Sequence, residues 1–255
     1  MSNAAMNRKA RIENTVETRS RILQSAKKEF AERGYDGARM GSIAKRARAN
    51  QALIHYYFGN KENLYREVLD RIFGIGTFKE RGFDSLIAEW GLSPRESLYV
   101  VIYFFVHFHF DASDNDFNKI IIREIVEERA TLKAILREYV IPWHEAIERI
   151  IVRGIEAGEF ETANPVLMVY NVFNFIFSYI NSRHCFEGTE WHHRLFSHSD
   201  VQQFLQFTLD YVFKALQVPG AKVRPVRLPP GIIASVDEII RECKKLSIAE
   251  GAPGS

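Results

Sequence analysis

Apolar residues recur with helical spacing along most of the chain. Over residues 17–33, Ile22, Ala26 and Phe30 follow one another every four positions, which places them on one face of a helix. Gly34 is a residue type that commonly ends a helix. Two short helices and one longer helix follow, and the pattern places them at 41–47, 51–58 and from 61 onward. This N-terminal part is therefore predicted to be helical, without strands.

Capping residues support these boundaries. Asn50 and Asn60 stand immediately before the second short helix and the longer helix, where an asparagine side chain can bond a free amide of the first turn. Beyond Pro94 the pattern remains helical. It predicts helices at 95–109, 115–128, 131–157, 164–184, 200–217 and, after a proline-rich stretch, 235–246. The expected fold class is all-α.

Charge is distributed unevenly along the chain. The formal net charge is only +2, but residues 1–66 carry +8 and residues 67–255 carry −6. A basic N-terminal part next to an acidic remainder favours a polyanionic partner for the basic part. A basic face that is simply solvated is the alternative.

The N-terminal helices have the order and lengths of a helix-turn-helix. In that motif the second short helix lies in the major groove of duplex DNA, where base edges differ, and the first crosses the backbone. Helical spacing gives residues 51–58 an outward side, Gln51, Ala52, His55 and Tyr56, and an inward side, Leu53, Ile54, Tyr57 and Phe58. A position at the boundary between the two sides is the alternative for Leu53. Glutamine can bond adenine, and alanine can pack on the thymine methyl group.

Three side chains of this region have the reach for phosphates: His55, Tyr56 and Lys61. Lys61 also stands at a helix N-terminus, whose free amides attract an anion. Partial core packing of Tyr56 and plain solvation of Lys61 are the alternatives.

A specific set of residues punctuates this region: Ile22-Leu23, Ala26, Phe30, Gly34-Tyr35, Gly37, Met40, Ile43-Ala44, Ala47, Ile54, Tyr56-Tyr57-Phe58, Lys61 and Leu64. With this set, the stretch from Arg21 to Leu69 resembles the N-terminal domain of TetR-family transcriptional regulators. The resemblance implies an all-helical homodimer, more often a repressor than an activator. It also implies a C-terminal helical domain for ligand binding and dimerisation, and the segment 142–160 looks like the corresponding helix and its exit.

The sequence departs from the family pattern at three places. The turn reads Arg48-Ala49-Asn50 where Gly-Val-Ser is usual, Arg39 stands where a hydroxyl residue commonly caps the first short helix, and His55 replaces the usual tyrosine. Arg48 would cost about 1 kcal/mol if it took the glycine's left-handed conformation. Extra arginines also add candidate phosphate contacts. The predicted DNA-binding residues are Arg39, Ser42, Arg48, Gln51, Ala52, His55, Tyr56 and Lys61.

Four segments follow from these observations. Residues 1–16 are expected to be a basic flexible arm or an appended tag, and 17–66 the DNA-binding domain. Residues 67–217 are expected to form the ligand-binding and dimerisation domain, and 218–255 a proline-rich linker with a C-terminal helix. The dimer face is expected on helices 164–184 and 200–217, which carry Phe204 and Tyr211.

The expected effector pocket combines aromatic side chains with a polar stripe. Asn171, Asn174, Ser178 and Asn181 recur on one side of an otherwise apolar helix. A pocket, the dimer interface and a solvated edge are the three environments that would satisfy these groups. The predicted ligand-binding residues are Phe104, Phe108, Trp143, Tyr170, Asn171, Asn174, Phe177 and Ser178, and ordinary core packing is the alternative for each aromatic.

The sequence therefore predicts a cytoplasmic repressor that binds a near-palindromic operator in duplex DNA and is released by a small-molecule effector. Regulation by a protein partner, or without a ligand, is the alternative. A small-molecule-binding enzyme is disfavoured because no catalytic constellation is present. The eight histidines show no metal-ligand spacing, so neither metal nor cofactor is expected. No stretch has the length and apolarity of a membrane span.

Overall fold

The computed structural model describes residues 3–72, 83–110, 115–127, 129–196, 201–222 and 225–248, and it confirms the all-α class: no strand is found among them. The first helices are α1 (Asn3–Gly37), α2 (Met40–Arg46), α3 (Gln51–Phe58), α4 (Lys61–Ile72), α5 (Phe83–Glu89), α6 (Pro94–Phe110), α7 (Asn115–Glu127) and α8 (Ala130–Ile135). They are followed by α9 (Ile141–Glu156), α10 (Pro165–Ser182), α11 (Glu190–Phe196), α12 (Val201–Ala215) and α13 (Ile232–Ile248).

The helices form two compact units. The head unit contains α1–α4 together with α7 and α8, whereas the body unit contains α5, α6 and the chain from Leu136 to Cys243. This differs from the expected boundary at residue 66. Ile120, Ile121 and Leu132 are buried because α7 packs on α1 and α8 packs on α4. Two helices distant in sequence therefore complete the head unit.

α1 begins at Asn3, so the structure has a helix where a flexible arm was expected over residues 1–16. Neither glycine nor proline occurs between Asn3 and Arg33, and the helical conformation therefore continues without a break. Gly34 interrupts it with a φ of 68°, as the sequence predicts.

A π-helical turn at Leu136–Val140 divides the long helix predicted over 131–157. Pro142 follows directly, in the first turn of α9. Proline has no amide hydrogen, and its ring crowds the carbonyl four residues earlier, so a regular α-helical turn cannot pass through this position. The helix therefore restarts at Ile141.

The body core is built mainly from α6, α9, α10 and α12, which pack on one another. α13 also belongs to this core, because Val236, Ile240 and Cys243 are buried in it. The expected C-terminal appendage is thus part of the body unit up to Cys243. The short helices α5 and α11 were not predicted, since a helix of seven residues has too few turns for a clear apolar period.

Candidate nucleic-acid interface

α3 is held against the head unit by one side and exposes the other. Ile54 and Phe58 are buried, and Tyr57 is half-buried. Leu53, for which the boundary of the inward side was the alternative, is 38% exposed because it precedes the buried stripe by one residue, about 100° around the helix. Asn50 caps α3 by accepting a hydrogen bond from the Ala52 amide at 2.9 Å.

The opposite side of α3 presents the predicted reading residues to solvent. Gln51, Ala52 and His55 are exposed, and Tyr56 is 80% exposed, so the alternative of core packing for Tyr56 is wrong. His55 is oriented by a contact of 2.8 Å between Nδ1 and the Gly59 carbonyl oxygen. A short helix with three donor–acceptor side chains and a methyl group on one free side has the form that reads base edges in the major groove.

The turn between α2 and α3 is strained at Arg48. This arginine has a φ of 49° and is the non-glycine residue with positive φ found in the described parts of the chain. Its side chain is exposed. The left-handed conformation predicted from the family pattern is therefore present, at a cost of about 1–2 kcal/mol relative to glycine.

α2 begins without the side-chain cap that a hydroxyl residue would supply. Arg39 occupies the N-cap position, makes no side-chain cap bond and is exposed. The buried carboxylate of Glu29 lies 3.5 Å from the Arg39 amide instead. Ser42 is half-buried in the first turn of α2. Arg39 thus keeps its charge on the surface at the start of α2.

Lys61 is oriented by two contacts, rather than being plainly solvated. Its Nζ donates to the Asp36 carbonyl oxygen at 3.2 Å and lies 4.7 Å from the centre of the Tyr35 ring. Both contacts hold the ammonium at the start of α4, where the free amides of the helix already favour an anion. Lys61 is therefore oriented by its neighbours, and its contact with a phosphate stays a prediction.

Arg129, which follows α7, contacts the same two residues of the head unit, Tyr35 and Asp36. Its guanidinium lies 2.5 Å from Asp36, 2.7 Å from Glu127 and 4.9 Å from the centre of the Tyr35 ring. The same side chain lies 3.3 Å from the buried carboxylate of Glu124. Sequence reasoning missed this contribution, because residues 124–129 lie far along the chain from the motif they support.

Tyr65 of α4 donates its hydroxyl to Glu124 of α7 inside the head unit. Burial raises the pKa of Tyr65 and also that of Glu124, while the Tyr65 bond and Arg129 partly oppose the rise at the carboxyl. Glu124 keeps one buried oxygen, Oε2, without a hydrogen-bond partner. Ionisation of the Glu124 carboxyl group is therefore unfavourable in the folded protein.

The structure does not gather the eight predicted ligand-binding residues into one cavity. Phe104 is buried and stacks with Phe108 and Trp143, with ring centres 5.6 and 5.8 Å apart. Phe177 is half-buried on α10. The other four residues, Tyr170, Asn171, Asn174 and Ser178, lie on the exposed side of α10. Their stripe therefore faces away from the body core, and a pocket inside one chain does not satisfy it.

A cavity of about 10 Å³ lies among α6, α9, α10 and α12. All of its lining side chains are apolar: Leu98, Val101, Ile102, Phe105, Ile147, Ile151, Val169, Val172, Phe173, Ile176 and Val212. None of the eight predicted residues lines it. Its volume is near the minimum for one water molecule, and a site without polar partners does not retain water.

Over the described residues, no group of three or more His, Cys, Asp and Glu side chains has the geometry of a metal site. Within the same part of the chain, no helix combines the length and apolarity needed to cross a bilayer.

Comparisons with known proteins agree with the geometry of the head unit. Residues 22–68 match the model of bacterial regulatory proteins of the TetR family. The chain is 40% identical over 63 residues to the HTH-type transcriptional repressor NicS of Pseudomonas putida, a match covering 25% of this chain and 30% of NicS. It is 48% identical over 54 residues to the HTH-type transcriptional repressor SCO4008 of Streptomyces coelicolor, covering 21% and 28% of the two chains. These matches thus span less than a third of either relative.

A solved structure extends the likeness to the whole fold. The transcriptional regulator FadR of Bacillus subtilis, in complex with stearoyl-CoA, superposes with a TM-score of 0.51 at 23% identity. The alignment covers 77% of this chain and 98% of that chain.

The exposed side of the helix-turn-helix and these matches together define a DNA-binding domain in the N-terminal part of the chain. That domain, residues 22–68, is similar to the N-terminal domain of bacterial regulatory proteins of the TetR family.

Proposed function

We propose that the protein is a homodimeric repressor that binds a near-palindromic operator and is released from it by a small-molecule effector. The observation that carries the proposal is α3, which buries Ile54 and Phe58 and turns Gln51, Ala52 and Tyr56 outward. Since its target is chromosomal DNA, the proposal also places the protein in the cytoplasm.

In this mechanism α3 enters the major groove, and the basic residues around it hold the backbone. Gln51 and Ala52 contact base edges, whereas Arg39, Arg48 and Lys61 contact phosphates, with His55, Tyr56 and Ser42 at the margin. The two reading helices of a dimer must then lie about 34–36 Å apart to meet successive turns of one face of DNA. An effector that prefers another spacing weakens binding by its differential affinity for the two states.

Selection of bound duplexes from a random pool tests the DNA-binding part. We expect a two-fold-related consensus, bound with an affinity that decreases steeply with salt because phosphate contacts release counterions. Mobility shifts with the selected duplex and a scrambled duplex at moderate salt provide the comparison. Equal affinity for both duplexes would contradict the proposal.

Variants at Gln51 and Lys61 distinguish recognition of DNA bases from contact with the DNA backbone. Gln51→Ala is expected to change the preferred base at one position of each half-site. Lys61→Ala is expected to weaken all sites about equally and to lower the salt slope by about one contact. Selection and salt titration of both variants check this. A changed consensus for Lys61→Ala, with an unchanged one for Gln51→Ala, would show that α3 is not the reading helix.

The dimer part rests on the exposed side of α10 and α12. Leu167, Tyr170 and Phe207 are 61, 59 and 59% exposed, and the Tyr211 hydroxyl donates to Asn171 across the two helices at 3.2 Å. An exposed apolar surface on two neighbouring helices is typical of a homodimer interface. A four-helix contact, two helices from each chain, would cover it and would give the polar stripe partners from the symmetry mate.

The effector part rests on the body unit. The aromatic cluster of Phe104, Phe108 and Trp143 supplies the kind of apolar surface that small-molecule sites use. The FadR complex supports a small-molecule effector for this fold. Screening of metabolites by thermal shift, followed by release of the labelled operator, tests it. A protein that keeps its operator in the presence of every ligand that stabilises it would contradict induction.

A further inference from the structure

Arg129 contacts the same two residues that orient Lys61. Within the head unit, its guanidinium lies 2.5 Å from Asp36 Oδ2 and 4.9 Å from the centre of the Tyr35 ring. Lys61 in turn lies 3.2 Å from the Asp36 carbonyl oxygen and 4.7 Å from the centre of the same ring. The two cations therefore share both partners, and the position of Lys61 depends on how Arg129 fixes them.

The two shared residues directly follow the interruption of α1 at Gly34, whose φ is 68°. The Asp36 side chain is 81% exposed, whereas the Arg129 side chain is only 20% exposed. Arg129 is itself held by Glu127 at 2.7 Å and by the buried Glu124 at 3.3 Å. A guanidinium can pair with carboxylates along its edge while its face lies against an aromatic ring. One side chain thus connects the end of α7 to the end of α1.

The Asp36 carboxylate is the charge that Arg129 compensates. An aspartate carboxylate lies only a few ångströms from the carbonyl oxygen of its own residue, so this carboxylate is also close to the Lys61 ammonium. Without a partner, it would compete with a DNA phosphate for Lys61 and would repel that phosphate. The ion pair between Arg129 and Asp36 opposes both effects.

We propose that Arg129 is a positioning residue for operator binding, because its pairing with Asp36 leaves the Lys61 ammonium available to a DNA phosphate. Arg129 acts through its neighbours rather than by touching DNA itself. This inference rests on the proposed function, because it requires that Lys61 contacts the operator backbone.

Replacement of Arg129 by glutamine tests the proposal, because glutamine still donates hydrogen bonds to Glu127 but leaves Asp36 uncompensated. With the full-length protein and the selected operator, we expect Arg129→Gln to weaken binding about fivefold, as for one charge near another at a protein surface. The salt slope is expected to decrease by about one contact, as for Lys61→Ala. Lys133→Gln is the matched control, since it removes the same charge from an exposed residue of α8 and should leave both values nearly unchanged.

Two double-mutant cycles distinguish this role from a general effect of charge or folding. In the Asp36→Asn protein, Arg129→Gln is expected to weaken binding by less than about twofold, because no carboxylate is left to compensate. In the Lys61→Ala protein, the same change is also expected to cost less than about twofold, because the residue that Arg129 positions is absent. A loss of charge acting at long range would instead persist in both backgrounds.

Arg129→Lys is a second variant that keeps a cation beside the buried Glu124, and circular dichroism checks the folding of every variant. Its salt slope is expected to match that of the parent, because the Asp36 charge remains compensated. Parent-like binding by a folded Arg129→Gln protein, an undiminished loss in either background, an equal loss for Lys133→Gln, or a reduced slope for Arg129→Lys would overturn the proposal. A parent protein that binds selected and scrambled duplexes equally would instead contradict the proposed function.

Discussion

At the scale of single residues, Arg48 combines a strained backbone with a positive charge that the proposed function uses to contact phosphate. Its left-handed backbone, with a φ of 49°, is unfavourable for any residue with a Cβ atom. Arg48→Gly is expected to raise the free energy of unfolding by about 1 kcal/mol and to weaken operator binding, with a salt slope lower by about one contact. Chemical denaturation and salt titration measure the two effects.

Arg48→Asn is the control for that change, because asparagine tolerates the left-handed region and carries no charge. It should resemble Arg48→Gly in DNA binding and lie between glycine and arginine in stability. An Arg48→Gly protein with unchanged affinity and salt slope would show that this arginine does not contact phosphate.

Glu124 is the residue whose ionisation opposes folding. Burial raises its pKa above the ordinary value of 4.5, so the folded state binds its proton more tightly than the unfolded state does. Stability from this group is therefore lost as the pH rises from 4.5 towards the pKa of the folded state. Glu124→Gln is expected to stabilise the protein relative to the parent increasingly over that range, with a constant difference below it.

Denaturation at a series of pH values measures this difference. Tyr65→Phe is the companion variant, since the Tyr65 hydroxyl bond lowers the pKa of Glu124. Its removal should enlarge the loss of stability at neutral pH. A stability difference between Glu124→Gln and the parent that does not vary with pH would contradict the assignment.

At the scale of elements, the exit of α9 depends on a glycine with no space for a side chain. A Cβ at Gly154 would lie 2.0 Å from a ring carbon of Phe160, which is only 2% exposed. The ring cannot move outward without leaving the core. Gly154→Ala is therefore expected to lower the free energy of unfolding by about 1–3 kcal/mol, as overpacked cores do.

Thermal denaturation followed by circular dichroism measures the effect. Gly41→Ala in α2 is the control, because its Cβ would meet nothing closer than 3.8 Å and helical alanine is favoured over glycine. It should leave stability unchanged or raise it slightly. Equal stabilities for the two variants would contradict tight packing between Gly154 and Phe160.

The elements also show what the sequence can and cannot predict. α3 was predicted at its observed bounds, because Asn50 marks its start, Gly59 its end and Ile54 with Phe58 its buried side. The restart at Ile141 was missed, although Pro142 is the local signal for it. The support of Tyr35 by Arg129 had no local signal, since it depends on contacts between distant segments.

At the scale of the whole molecule, the DNA-binding site could be predicted from local sequence signals, whereas the effector pocket depends on how distant segments pack. Exposure of Gln51 and Tyr56 follows from helical period alone, and the structure agrees. The pocket prediction relied on residue types without a fold, and it grouped the buried Phe104 with the exposed Tyr170. The polar residues of α10 indicate from sequence that one side of this helix needs hydrogen-bond partners. Only the packing of the helices in the structure shows that this side points away from the body core.

The exposure of residues on α12 determines which substitutions can test the dimer interface. Phe204 was expected in the interface, but it is buried in its own chain, with its ring centre 4.0 Å from that of Tyr179. Glutamate at that position would unfold the body unit. Phe207 and Tyr211 lie on the exposed side of α12, at 59 and 41% exposure, so we expect their replacement to leave the body unit folded.

Phe207→Glu with Tyr211→Glu is therefore expected to give a folded monomer. The two glutamates of each chain would bring negative charges together in the four-helix contact. Each lost aromatic side chain that anchors the contact would also reduce the free energy of dimerisation by about 2 kcal/mol or more. Operator affinity should then decrease sharply, because the two reading helices are no longer linked. Light scattering, circular dichroism and mobility shift measure assembly, folding and binding in turn.

Trp191→Glu with Ile155→Glu is the matched control, since both residues are exposed elsewhere in the body unit. A parent chain that is monomeric at micromolar concentration, or a double variant that remains a dimer with full affinity, would contradict the four-helix interface.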